Sequence, residues 1–202
     1  MDVFYVRHGE IAAKAPGDLG LSSAGRAMAD QAGQALAERS PVAVVSSPLA
    51  RAAETAAGVA AACGIEFDID ARLRERLNWG DVPGQPFDEF VELWDRCTAD
   101  RHDIPVVPGG RSACQAGCGA VELIDEIVGT TDAGPVVLVA HGGLLVDLLL
   151  CLGDAGRAGP VDPSVDVPYC SITHLSWEAG RVEVLGLAAT THLDQVRTTR
   201  VD

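Results

Sequence analysis

The chain opens on four apolar residues in a row, Val3-Phe4-Tyr5-Val6, and the run ends abruptly at Arg7-His8-Gly9-Glu10. A short continuous apolar run predicts a strand covered on both faces, as in a parallel sheet with helices above and below. Pro41-Val42-Ala43-Val44-Val45 and Pro135-Val136-Val137-Leu138-Val139-Ala140 have the same character. Between the first two runs the apolar spacing becomes helical. Ser22 or Ser23 caps a helix running to about Arg39, with Met28, Ala32, Ala35 and Leu36 on its inner face. Ser46-Ser47-Pro48 closes the second strand and starts a helix from about Leu49 to Cys63, which Gly64 stops. Ile65, Phe67 and Ile69 then alternate with acidic residues and predict an edge or half-exposed strand. This strand and helix alternation is what parallel pairing requires.

From Asn78 to Gln115 glycines and prolines break the pattern, leaving one helix near Phe87 to Arg96. Such an irregular stretch predicts a cover over a site. A helix from about Ser112 to Val128 precedes the Val136 strand, and another follows it through Leu144 to Leu152. Alternating runs from Tyr169 to Trp177 and Arg181 to Leu187, joined by Glu178-Ala179-Gly180, predict a terminal hairpin. The residues beyond carry no clear period. The expected architecture is a three-layer α/β domain with a largely parallel sheet and helices on both faces. It is read as a single domain over 1–202, with the covering insertion at about 78–111.

In an open α/β sheet, ligands collect outside the carboxyl ends of the strands. Two of the apolar runs deliver histidines there: His8 beside Arg7, and His141 before Gly142-Gly143. Arg51 follows the start of a helix, where unpaired N–H groups and the dipole favour an anion. Arg7 and Arg51 carry planar forks suited to phosphate oxygens, which lysine does not reproduce.

Composition sharpens this picture. With 15 basic against 29 acidic residues the net charge is −14, which repels nucleic acid and anionic membranes. A phosphorylated substrate therefore needs a local cluster of positive charge. Lys14 is the only lysine and alanine is abundant, as in a protein from a GC-rich bacterial genome. At 202 residues and 48% hydrophobic content the chain can bury a proper core. No leader pattern and no apolar run of roughly 18 residues is present, which predicts a cytoplasmic protein. Cys63, Cys97, Cys114, Cys118, Cys151 and Cys170 are scattered and read as reduced thiols. Cys114 and Cys118 share a helix face, but no second pair at that spacing points to a metal.

Taken in order, Arg7-His8-Gly9-Glu10, the run from Ser46 to Ala52, Leu73-Arg74-Glu75 and His141-Gly142-Gly143 resemble the histidine phosphatase superfamily, the phosphoglycerate-mutase-like proteins, from about Val3 to Leu152. The resemblance implies a phosphatase acting on a small phosphomonoester without metal or cofactor. It implies that His8 attacks phosphorus and becomes a phosphohistidine, that Arg7, Arg51, His141 and Gly142 hold the oxygens, and that Glu75 is the general acid. The attacking imidazole needs one nitrogen unprotonated and the other donating to a fixed acceptor, the Gly9 carbonyl or another nearby backbone oxygen.

The departures from the family pattern bear on the reaction. The family glycine after the acid comes five residues on, at Gly80, rather than four, which leaves Asp81 as a stand-in acid. Ile11-Ala12-Ala13-Lys14 replaces the threonine and the Trp-Asn loop of the mutases, with Lys14 either contacting phosphate or solvated. This favours hydrolysis over the two alternatives, a phosphoglycerate-type mutase and a non-catalytic phosphate-binding protein. Pro108-Gly109-Gly110-Arg111-Ser112 resembles a Gly-Glu-Ser signature with Arg111 in the acidic place, either meeting an acidic substrate or sitting at the surface. His102 lines the pocket or is a solvated loop residue, while His174 reads as structural and Glu10 as a brace for the loop. His192 lies in the unpatterned tail. Trp79 and Trp94 form an aromatic wall or pack beneath the cover. The expected partner is a small phosphorylated metabolite, with neither nucleic acid nor membrane, and either edge strand offers a route to a homodimer.

Overall fold

The computed structural model describes residues 1–12, 18–77, 81, 84, 86–99, 103–107, 109–131, 134–160, 162–178 and 180–193, with side chains 94–99 excluded. Six strands, β1 (Asp2–Arg7), β2 (Ala43–Ser46), β3 (Phe67–Ile69), β4 (Val136–Ala140), β5 (Ile172–Glu178) and β6 (Arg181–Ala189), form one sheet in the order β3-β2-β4-β1-β5-β6. The β3-β2, β2-β4 and β4-β1 pairs are parallel, and β5 and β6 add antiparallel to the β1 edge.

The inner positions of β1, Val3–Val6, and all of β4 are apolar or aromatic because both faces are covered. Val3, Tyr5, Leu138 and Ala140 point into a core shared with α4 (Ala113–Thr130) and α5 (Gly142–Asp154). Phe4, Val6, Val137 and Val139 point the other way, against α2 (Ala50–Cys63) and Leu36 of α1 (Ser23–Ala37). The chain leaves β1 through α1 toward β2, and leaves β4 through α5 toward β5, in opposite directions along the sheet. The crevice between β1 and β4 is thus the topological switch point, where ligands bind in such sheets.

Three sequence expectations need correction. The inner face of α1 is formed by Gly25, Ala29, Ala32, Gly33 and Leu36, with Met28 and Ala35 only partly buried. The helix turns its small residues inward because it lies close against α2: a Cβ on Gly33 would stand 2.9 Å from the Ala62 side chain and 3.0 Å from the Gly58 carbonyl. β5 begins at Ile172 rather than Tyr169, because Cys170 adopts a left-handed conformation, φ 51°, that interrupts the extended run. Beyond the hairpin, where the sequence carries no clear period, a short 3-10 helix (Thr191–Leu193) packs its leucine against Leu21, Ala29 and Ala32.

In the covering segment, α3 (Phe87–Ala99) extends past the expected end, and Phe90 packs with Val106 and Val107 in a small core of its own. Lys14, Trp79, Gly80, His102 and the Trp94 side chain lie outside the described residues. Among the described residues no helix is long and apolar enough to cross a membrane.

Candidate active site

In the parallel pairing of β1 with β4, Arg7 lies opposite Ala140, so His8 and His141 are the next residue out on two adjacent strands. The His8 amide donates to the Ala140 carbonyl at 2.9 Å, which carries the register one step beyond the strands. The two imidazoles face each other edge-on with centroids 5.2 Å apart. β2 contributes in the same layer: Ser46 is in register with Val139, and the Ser47 amide continues the ladder to the Val139 carbonyl at 2.9 Å.

His8 is 5% exposed, and its Nδ1 donates to the Gly9 carbonyl at 2.8 Å. That places the lone pair on Nε2, where the Arg51 Nε–H donates at 3.2 Å. Gly9 is pinned in turn, its amide donating at 3.0 Å to Thr55 Oγ1, which donates at 2.7 Å to the Arg51 carbonyl. The nucleophile loop and the helix carrying Arg51 are therefore tied together. The loop also lies directly on α1, since a Cβ on Gly9 would fall 2.5 Å from the Gly25 carbonyl oxygen. Glu10 accepts from the Ser22 hydroxyl at 2.7 Å and braces the loop.

His141 uses its nitrogens in the opposite sense. Ser47 Oγ accepts the Leu49 amide at 3.3 Å and lies 2.8 Å from His141 Nε2, so that nitrogen is engaged within the protein. His141 Nδ1 is 3.6 Å from Glu75 Oε2, beyond hydrogen-bond reach. The Tyr5 phenol fixes the backbone here, donating to the His141 carbonyl at 2.8 Å and receiving its amide at 3.2 Å. One ring thus leaves its Nε2 for the crevice and the other its Nδ1.

Arg7 stacks on Tyr169, with its guanidinium carbon 4.1 Å from the ring centre, and donates through Nη1 to the Val167 carbonyl. Gly142 lets α5 begin beside it, since a Cβ there would stand 3.3 Å from Arg7 Cδ. Arg51 Nη2 donates to Glu75 Oε2 at 2.9 Å, which brings the acidic segment to the same point. Arg7 Nε and His141 Nδ1 are buried without a hydrogen-bond partner among the described residues. Buried polar groups are normally satisfied, and the unpaired Arg7 N–H is suited to the oxygen of an anion.

The electrostatics follow from burial among arginines. Burial, then Arg51 and Arg7, push the His8 imidazole down to about 3, against the opposing pull of the Gly9 hydrogen bond. Burial and the same arginines hold His141 well below its ordinary value. Both rings are neutral in the folded protein at pH 7, whereas an unfolded histidine titrates near 6.5. As pH falls below about 6.5, the unfolded chain takes up protons that folded His8 does not, so stability drops from there down toward about 3. Urea midpoints are expected to fall between pH 7 and pH 4, and to fall less steeply for His8→Gln. An identical slope in the variant would show that His8 contributes no such linkage.

The structure therefore brings together Arg7, His8, Arg51, Glu75, His141 and Gly142, while Asp81 is exposed. The start of α2 behaves differently from expectation, because Asp18 accepts the Ala50 amide at 2.7 Å and occupies that helix end itself. Arg111 is partly buried and not simply a surface residue: it donates to the backbone carbonyls of Arg72, at 3.4 Å, and Arg74. His174 is structural, stacked on Phe4 at 4.5 Å and paired with Asp2 at 2.6 Å. His192 Nε2 lies 3.0 Å from the Cys170 carbonyl and ties down the tail. Sequence reasoning missed the supporting roles of Tyr5, Ser47, Thr55 and Tyr169. The available signal was a phenol or hydroxyl in a stretch otherwise reading as core, which must find a partner.

Comparison with known proteins agrees with this geometry. Residues 3–190 match the family model of the histidine phosphatase superfamily (branch 1). Over 144 residues the chain is 38% identical to glucosyl-3-phosphoglycerate phosphatase of Mycolicibacterium vanbaalenii, covering 67% of this chain and 64% of that protein, just under two thirds of its length. It is 27% identical over 208 residues to the Yersinia pestis protein named "Probable phosphoglycerate mutase GpmB", covering 96% and 95% of the two chains. The solved structure of mycobacterial glucosyl-3-phosphoglycerate phosphatase with VO3 superposes with a TM-score of 0.75 at 27% identity, covering 94% of this chain and 99% of that one. The fold, the strand-end histidines and the match over nearly the whole chain place this protein in the histidine phosphatase superfamily, among its phosphatases and mutases.

Proposed function

We propose that the protein is a phosphatase that hydrolyses a small phosphomonoester through a phosphohistidine on His8. The observation that carries this reading is the opposed use of the two imidazoles, with the lone pair of His8 on Nε2 and His141 Nδ1 buried without a hydrogen-bond partner among the described residues, between two arginine forks. In the first step Nε2 attacks phosphorus, the ester P–O bond breaks, and the departing oxygen takes a proton from Glu75. Arg51 shifts its N–H from Nε2 to the phosphoryl oxygens, where Arg7, His141 and the first amide of α5 stabilise the spreading charge. In the second step the Glu75 carboxylate takes a proton from water, the water oxygen attacks phosphorus, and the P–N bond breaks to release phosphate and neutral His8. The arginines supply the positive charge, so the route calls on no metal.

Hydrolysis is favoured over phosphate shuttling by the segment after Glu10. Ile11 bridges Leu21, and the Ala12 amide donates to the Gly20 carbonyl at 3.0 Å, so the chain turns back on itself within ten residues. A mutase shelters its intermediate from water and holds a bisphosphorylated species long enough for it to reorient. The names of the relatives put phosphoglycerate esters first among substrates to try. In a panel of phosphomonoesters assayed with chelator, inorganic phosphate is expected from at least one, and 2,3-bisphosphoglycerate is expected to give no isomerisation of 3-phosphoglycerate. Bisphosphate-stimulated formation of 2-phosphoglycerate would make the protein a mutase. Release from no ester would make it a binding protein.

A further inference from the structure

Glu75 sits between two residues that are themselves held from outside its own segment. On one side, Arg111 reaches across from the start of α4 and donates to the carbonyls of Arg72 and Arg74. On the other, Arg76 grips Asp147 of α5 with both ends of its fork, Nε to Oδ2 at 2.7 Å and Nη2 to Oδ1 at 3.2 Å. Asp147 is 3% exposed, so this pair is a fixed point and not a mobile surface bridge.

The two anchors are locked to each other. Arg111 leaves the chain immediately before a capping box, in which Ser112 Oγ accepts the Gln115 amide at 3.1 Å and Gln115 Oε1 accepts the Ser112 amide at 2.9 Å. One turn further on, α4 meets α5 backbone to backbone: a Cβ on Gly117 would stand 2.1 Å from the carbonyl oxygen of Asp147. The Asp147 charge also reaches Arg111, opposing the downward push that burial exerts on that guanidinium. A half-buried arginine devoted to two backbone carbonyls is costly to maintain, and a surface-stabilising role does not require one.

The geometry points to Arg111, together with the Arg76–Asp147 pair, as a clamp that sets the position of the Glu75 carboxyl, which makes Arg111 a positioning residue for proton transfer to the leaving oxygen. This rests on the reading of Glu75 as the general acid. The Arg74 carbonyl shares a planar peptide unit with the Glu75 nitrogen, so holding that oxygen fixes the direction in which Glu75 leaves the chain. Proton transfer needs an approach of about 2.6–3.2 Å. Without Arg111 the Arg74 carbonyl loses that donor, and Glu75 is left to its bond with Arg51 and to the Arg76–Asp147 anchor on its other side.

The test compares an alkyl phosphate with p-nitrophenyl phosphate, whose leaving group departs nearly unaided. Arg111→Met is expected to lower kcat/KM on the alkyl ester by up to about 10²-fold, the scale of a 1 Å misplacement. On p-nitrophenyl phosphate kcat/KM, which stops at phosphoryl transfer to His8, is expected to stay close to the parent. Arg111→Lys keeps the charge but cannot hold two carbonyls, and is expected to show the same split at smaller amplitude, which carries the test if the methionine variant does not fold. In a Glu75→Gln background Arg111→Met is expected to cost nothing further on the alkyl ester. Equal losses on both substrates, no loss on either, or full additivity with Glu75→Gln would overturn the clamp. If Glu75→Gln itself fails to separate the two substrates, the acid assignment fails. If it separates them and the Arg111 variants do not, only the clamp fails.

Discussion

Changing His8 to alanine is expected to lower phosphate release on the order of 10⁶-fold, the scale seen when a covalent nucleophile is removed. The loss is that large because no neighbouring group replaces the Nε2 lone pair. His141 is engaged at Nε2 by Ser47 Oγ, 2.8 Å away, and its Nδ1 lies beside Glu75 at 3.6 Å. The fold is expected to survive, since the imidazole lines a crevice beside His141 and Tyr169 rather than filling either main core. Inorganic phosphate should still bind the variant, because Arg7, Arg51 and His141 remain. In the parent protein, rapid quenching with labelled substrate should trap acid-labile, base-stable phosphate, and His8→Ala should trap none. Label on a serine, or an unchanged trapped fraction in the variant, would remove His8 from the role of nucleophile.

The second large effect is selective. Glu75→Gln is expected to lower kcat/KM for alkyl and sugar phosphates by about 10²–10⁴-fold, with a much smaller effect on kcat/KM for p-nitrophenyl phosphate, since this ratio stops at phosphoryl transfer to His8 and leaves out the water step common to both. An alkoxide cannot depart without a proton, whereas p-nitrophenolate is stable enough to leave alone. Glu75 is the carboxylate in place for this task, within 2.9 Å of Arg51 and facing the His141 ring at 3.6 Å. Glutamine retains the shape and an acceptor for Arg51 while removing the transferable proton. Equal slowing of both substrates would mean that Glu75 only organises the arginine, and a selective loss in Asp81→Asn instead would move the acid there.

The strands and the strand-end histidines were legible in the sequence for one physical reason. A sheet covered on both faces tolerates no polar residue within its central strands, so the first charged residue after an apolar run marks the strand end. That rule located Arg7, His8 and His141 without any knowledge of tertiary structure. It failed at Tyr169, where aromatic and apolar residues continue the alternating pattern and only the left-handed backbone at Cys170 ends it. Helix α1 was placed correctly, but its buried face was not. Hydropathy ranks methionine above glycine, whereas a close helix crossing ranks glycine first because it takes no space. The supporting hydroxyls of Ser47 and Thr55 and the fork of Arg111 were invisible for a different reason. Ser47 meets His141, Thr55 meets Gly9 and Arg111 meets Arg74 across separations of 94, 46 and 37 residues that no local period encodes.

The pairing of Arg7 with Ala140 has a metric consequence. Neighbouring strands lie about 4.7–4.9 Å apart whatever their sequence, because the length of a backbone hydrogen bond sets that interval. Two residues that step off adjacent strands at the same level inherit it, and the 5.2 Å between the His8 and His141 ring centres is close to that value. The gap in which a phosphoryl group is to be gripped is therefore a ruler supplied by the peptide backbone, not a distance tuned by side chains. Lengthening either strand by one residue would do more than move a histidine outward. It would turn that histidine toward the opposite face of the sheet and bring Arg7 or Ala140 to the rim in its place.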